Sequence, residues 1–356
     1  MVNFYLRLQS EGELPLAIKD HSMVLCGITG GGWAFNHGQD LTDFETYVDN
    51  FNKTYATTSA RNFANYYFIY NRNQVAQHNA QADRNRTSYR EVVNQFSDIR
   101  LIQYAALLPK AVSTVTSAAS DPPTTQAAAA SYDIITDFGL TITVEDQGVN
   151  CSSSWAYATA KAVEIMNAVQ TANTAPSALS AQQLLDCAGM GTGCSTQTPL
   201  AALNYLTQLT DAYLYPEMDY PNNNTLKTPG MCQPPSSVAV GVKLGKYSSV
   251  ADNDDDAVMR YVSNGFPVIV EYNPATFGFM QYSSGVYVQE TKALTNPKSS
   301  QFLVVVGYDH DVDSNLDYWR CLNSFGETWG EDGYIRIVRR SNQPIAKNAV
   351  FPSELA

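Results

Sequence analysis

The chain has 356 residues, 44% hydrophobic and 16% charged, which is the balance of a globular protein with material for two domains or one large core. Its formal net charge of −12 argues against nucleic acid or an anionic membrane surface as the main partner, because both demand a basic face. Residues 1–22 contain Glu11, Glu13, Lys19 and Asp20 and do not read as a signal peptide. The apolar run from Met23 to Ile28 is too short to span a membrane. It reads either as the apolar part of a signal that starts at Met23 or as part of an N-terminal extension over 1–40. No other stretch approaches a membrane-spanning length.

From about Leu41 to Leu108 the pattern is helical, with Phe44, Tyr47, Val48 and Phe51 at three- and four-residue steps. A second helix is predicted from about Thr58 to Ala80, with Phe63, Tyr67 and Tyr70 on one stripe. Residues 111–131 are rich in Ala, Ser, Thr and Pro and read as a linker. A helix follows from about Ser153 to Thr171, and another starts at Ser180, an N-cap with Gln183 three residues on. After about Val238, β-branched and aromatic residues alternate in short runs, as in Pro267–Tyr272, Phe302–Tyr308 and Tyr334–Val338. The chain therefore divides into a helical front segment (41–110), the linker, and a body over 132–356 that is helical first and strand-rich later. No internal repeat is present.

Six cysteines occur, at 26, 151, 187, 194, 232 and 321. None forms a Cys-x-x-Cys pair, so a zinc site is not expected, and nothing points to another metal or a cofactor. Disulfides fit better and imply an oxidising compartment. Sequons at Asn52, Asn85, Asn150 and Asn223 point the same way, with Asn52, Asn85 and Asn223 as the glycosylation candidates.

Several motifs then stand in order. Gln147-Gly148-Val149-Asn150-Cys151-Ser152-Ser153-Ser154-Trp155-Ala156 resembles the papain-family signature around the catalytic cysteine. Leu184-Leu185-Asp186-Cys187 and Gly193-Cys194 resemble the family's next two elements. Val306-Gly307-Tyr308 and the run from Asn323-Ser324-Phe325-Gly326 to Trp329-Gly330-Glu331 resemble its closing motifs. In the front segment, Phe68, Asn71, Val75 and Asn79 match the second half of the helix motif in cathepsin L-like propeptides. Ala60 and Ala64 stand where its charged half should be, and Val92, Asn94, Phe96 and Asp98 follow a second propeptide motif. The sequence thus resembles a papain-like cysteine peptidase precursor over roughly 41–352. The resemblance implies an α+β fold with a helical left domain and a β-barrel-like right domain, preceded by a helical propeptide lying across the cleft. It also implies the pairs Cys151–Cys194 and Cys187–Cys232, an extracellular or lysosomal location, and Cys321 as a buried free thiol.

The family's chemistry needs a thiolate at a helix N-terminus, an imidazole to hold its proton, a glutamine for the oxyanion and an asparagine to orient the ring. At the matching positions stand Ser154, Gln301, Gln147 and Asn323. A serine hydroxyl needs a base more than a thiol does, and a glutamine amide is not one. Silicatein-like members also carry the serine, but they keep the histidine. The only histidine after the linker, His310, lies nine residues past Gln301, up to about 30 Å along a strand. Lys161 is seven residues along the helix from Ser154, about 10 Å by helical rise. An extra residue between Gly148 and Cys151 is expected to displace Gln147. In the substrate cleft, Thr196-Gln197 replaces a Gly-Gly, Phe325 replaces a tryptophan, and Trp329 is kept.

The expectation is a family homologue without peptidase activity. Its cleft would hold a peptide, a protein or a peptidase inhibitor, with its own propeptide as an internal partner. The alternatives are a residual hydrolase that uses Ser154, an inhibitor-like role for the front segment, and a secreted storage or structural protein.

Overall fold

The computed structural model of the protein describes residues 37–109, 127–188, 193–194, 197–208, 212–222, 229–233, 241–289, 294, 299–339 and 344–356. Most of the linker, Thr196, Asn223 and the apolar run after Met23 lie outside them. Phe44–Ala356 form one compact unit. Met1–Asp43 form another, whose described part is the start of a helix.

That helix, α1 (His37–Asn50), places Phe44 and Tyr47 in a small core with Ala64, Phe68 and Ile69 of α2 (Thr58–Ala82). Thr57 caps α2 by accepting the Ala60 N–H. The motif asparagines are buried or half-buried because they bind backbone. Asn71 Nδ2 donates to the carbonyls of Ser97 and Ile99 at 2.8 and 2.9 Å. Asn79 pairs with both backbone groups of Glu91, at 2.8 and 3.0 Å. Asp98 accepts from Tyr47, Tyr55 and Lys53, each at 2.9 Å.

The front segment is not helical throughout, as its periodicity suggests. After α2 the chain turns at Asn85, forms strand β1 (Tyr89–Glu91), and resumes as a helix only in α3 (Leu101–Leu107). The alternation of inward Tyr89 and Glu91 with outward Arg90 marks this strand. It was hidden inside a longer helical pattern because three residues are too few to set a period.

After the linker come β2 (Tyr132–Asp133), the one-turn α4 (Ile134–Asp137) and α5 (Ser154–Thr171). Nearly every residue of α5 is buried, and its many alanines let it sit deep against the sheet. The predicted helix at Ser180 is short: α6 (Ala181–Gln183), with the Ser180 Oγ accepting the Gln183 N–H, passes into a π-helical turn over Leu184–Ala188. Then follow α7 (Pro199–Gln208), β3 (Leu244–Ser249), α8 (Asp255–Val262), β4 (Val268–Tyr272), α9 (Phe277–Met280) and β5 (Tyr282–Tyr287). The chain ends with β6 (Gln301–Asp311), β7 (Leu316–Leu322), β8 (Tyr334–Val338) and β9 (Val350–Leu355).

The strands run in the order β1-β5-β8-β7-β6-β4-β9-β3, with β2 paired to β6. All pairs are antiparallel except β5 with β8. The architecture is the α+β papain-like one with a helical propeptide region in front. β6 is central, and its residues from Gln301 to Tyr308 are all buried, as suits a strand covered on both faces. Cys151 is bonded to Cys194 and Cys187 to Cys232, while Cys321 on β7 is a buried free thiol. The two bridges close loops of 43 and 45 residues. Each is worth about 4 kcal/mol by chain entropy.

Candidate functional site

Three elements meet at one point. Ser154 is the first residue of α5, so its hydroxyl stands at the positive end of that helix. Gln301 opens β6, and Asn323 follows β7 directly. Antiparallel pairing of Val304 with Leu322 brings the start of β6 beside the end of β7, with Asn323 diagonal to Gln301. All three are buried.

The Gln301 Nε2 lies 2.8 Å from Asn323 Oδ1, 3.0 Å from Gln147 Oε1 and 3.3 Å from Ser324 Oγ. It has two hydrogens for three acceptors, so the two shorter contacts take them. Asn323 Oδ1 also accepts the Ser324 N–H at 2.9 Å, which fixes the sense of its amide. Gln147 Oε1 also accepts from Ser324 Oγ at 2.6 Å. Ser154 Oγ accepts the Phe302 N–H at 3.2 Å.

Gln147, before the inserted residue, lies within the same cluster. The Gln147 N–H binds the Ser324 carbonyl at 2.9 Å. Gly148 turns in the left-handed region, φ 71°, with its N–H on Asp146 Oδ1. Sequence reasoning passed over Ser324, which ties Gln147 to Asn323. Its signal was its place directly after Asn323.

None of these five side chains titrates near neutral pH. His310 is at the far end of the same unbroken strand, so no turn brings it back. It is half-exposed and pairs with Asp317 at 2.9 Å. Lys161 is buried, 2.8 Å from Glu164 and 3.4 Å from Glu145. Burial alone would lower its pKa, but the two carboxylates outweigh burial and raise it. That is the wrong direction for a lysine base, which must be deprotonated to work. Burial pushes the Glu145 carboxyl up to about 7, opposed by Lys161. This ion cluster was missed from the sequence, although a Lys and a Glu three residues apart in an alanine-rich helix are a signal for it.

The propeptide segment covers the site. Ser152 Oγ donates to the Leu107 carbonyl at 3.0 Å, Ser299 Oγ to that of Ala105 at 2.9 Å, and the Ser300 N–H to that of Pro109 at 2.8 Å. Gln95 Nε2 donates to the Phe325 carbonyl at 2.7 Å. Phe96 meets the Phe325 ring edge-on, and Phe325 meets Trp329 in the same way. Gln197 is half-buried. Among the described residues, no group of three His, Cys, Asp or Glu side chains is placed to hold a metal ion, and no helix is long and apolar enough to cross a membrane.

Residues 128–353 match the model of the papain family cysteine proteases. Zingipain-1 of Zingiber officinale is 31% identical over 217 residues, 60% of this chain and 91% of that protein. A probable cysteine protease of Arabidopsis thaliana is 30% identical over 339 residues, 91% of this chain and 89% of its own. Among solved structures, digestive procathepsin L 3 of the Tenebrio molitor larval midgut is 27% identical. It superposes with a TM-score of 0.73 over 88% of this chain and 99% of its own.

Proposed function

The chain belongs to the papain family of cysteine proteases, and we propose that it is a member without peptidase chemistry, whose cleft binds a peptide, a protein or a peptidase inhibitor. One observation carries this reading: the group that contacts Asn323 Oδ1 is the amide of Gln301, at 2.8 Å, where catalysis needs an imidazole. A hydroxyl beside a neutral amide has no acceptor for its proton, so Ser154 is not activated. Lys161, held charged by Glu145 and Glu164, does not replace the base.

The propeptide contacts on Ser152, Ser299, Ser300 and Phe325 mark the surface a ligand would use. With no self-cleavage, the cleft opens only when another peptidase cuts the linker or when a ligand displaces the propeptide. The disulfides and the digestive role named for similar proteins favour an extracellular or lysosomal site of action.

The test is turnover of a broad fluorogenic peptide panel, at acid and neutral pH, by full-length and linker-cleaved protein beside Ser154→Ala. The expected result is no signal above that variant. Turnover that vanishes in Ser154→Ala would overturn the reading and show that Ser154 is an activated nucleophile.

A further inference from the structure

Two asparagines of the propeptide segment are unlike the other polar residues around them. Asn52 follows α1 in a tight turn, with φ 47° and its N–H on the Asp49 carbonyl. Asn85 follows α2 in another, with φ 54° and its N–H on the Ala82 carbonyl. Both are exposed, and neither side chain makes a hydrogen bond, while Asn71, Asn79 and Asn94 all bind backbone. Each of the two exposed asparagines starts a sequon, closed by Thr54 and Thr87. Thr54 is exposed, while the Thr87 hydroxyl is buried in the folded chain without a hydrogen-bond partner, so its sequon is read before this segment folds. Both asparagines flank the 25-residue helix α2, and beyond their turn backbone their side chains are left exposed.

We propose that Asn52 and Asn85 both carry N-linked glycans, which leave with the propeptide segment when the linker is cut. The donor is a lipid diphosphate oligosaccharide. The asparagine amide nitrogen forms a bond to C1 of the first sugar as the C1–O bond to the diphosphate breaks. The lipid diphosphate leaves with that electron pair, and the amide gives one proton to a base of the transferase. Asn150 is not included. Its sequon runs through Cys151, buried and bonded to Cys194, and Ser152, whose hydroxyl binds the Leu107 carbonyl, so a glycan would stand on the propeptide seam.

The experiment secretes the full chain from insect cells behind an added leader, so that the route is imposed and the outcome does not depend on the proposed location or on the inactivity of the cleft. An N-glycosidase in heavy-oxygen water converts each glycosylated asparagine to labelled aspartate, and peptide mapping locates the label. Label is expected at 52 and 85 in most molecules, with a mass loss from the fragment N-terminal to a cut in the linker. Thr54→Ala with Thr87→Ala should abolish the label at both positions; if that variant is not secreted, the map of the unaltered chain decides alone. Unmodified asparagine at either position in the secreted protein would overturn the proposal.

Discussion

A histidine in place of Gln301 should restore the charge that the site now lacks, and a thiol at position 154 would report it. In Ser154→Cys the thiol stands at the start of α5, fully buried, next to the neutral amide of Gln301. Burial alone raises a thiol pKa, as it does for Cys321. In Ser154→Cys with Gln301→His, a ring N–H takes over the 2.8 Å contact with Asn323 Oδ1, and the other nitrogen faces the sulfur. A thiolate and an imidazolium about 4 Å apart attract by about 4 kcal/mol at an effective dielectric of about 20. At about 1.4 kcal/mol per unit, that lowers the thiol pKa by about 3 units relative to the single variant. The assay is the rate of alkylation by iodoacetamide against pH, after the linker is cut and the propeptide removed, because Leu107–Pro109 otherwise covers the site. Cys321 is fully buried and should stay silent, which leaves the new thiol as the reporter in the body of the protein. Superimposable profiles for the single and double variants would refute the reasoning, since they would mean that position 301 does not face position 154.

Gln301→Ala removes two hydrogen bonds, but Gln147 Oε1 keeps the Ser324 hydroxyl and Asn323 Oδ1 keeps the Ser324 N–H. Neither acceptor is orphaned, so the expected loss in urea unfolding is about 1–3 kcal/mol. A loss of more than about 5 kcal/mol would show a coupling wider than the four side chains. Glu145 has a folded pKa of about 7, above its unfolded value, so the folded state binds the extra proton between the two. Its contribution to stability is full at acid pH and is lost as the pH rises through about 7. Glu145→Gln should flatten that decline in a series of melts; an unchanged slope would remove Glu145 as its source. Gly285 has φ 90°, and a Cβ there would run into the Ser88 carbonyl of the propeptide segment. Gly285→Ala should therefore loosen the seam between β1 and β5 and speed limited proteolysis of the linker, with the disulfide-bonded body still resistant. Equal cleavage rates would show that this contact does not hold the propeptide.

The family fold was legible because its motifs are positions where only one residue type meets a geometric need. Asn71 and Asn79 bind backbone that no shorter or apolar side chain could reach, and Ser180 caps a turn. The site was legible as a set of positions, counted from Trp155 and from Val306-Gly307-Tyr308. What the sequence did not reveal depends on contacts between distant segments. β1 is a strand because β5 offers it an edge, and its three residues hold no pattern of their own. Gln147 is tied down by Ser324 from another element, a contact that counting residues along the chain cannot show. The Lys161 cluster is visible in part as a helical pair with Glu164, but Glu145, which completes it, comes from a loop before α5.

The substitutions at 154 and 301 are best understood together. A buried thiolate and imidazolium each cost several kcal/mol in lost hydration, offset only while the pair is intact. Replacing one member alone would leave the other charge buried without its partner, or force it to neutralise. Replacing both leaves a neutral set in which Gln301 donates to Gln147 and Asn323, while Ser154 accepts from the backbone of Phe302. Such a set needs no charge balance and tolerates permanent cover by Leu107–Pro109. It keeps the two halves of the cleft joined through side chains from the loop before α5, from β6 and from the segment after β7. On the proposed reading, a cleft held in this way would keep its shape for binding, with Asn323 serving as the acceptor for Gln301.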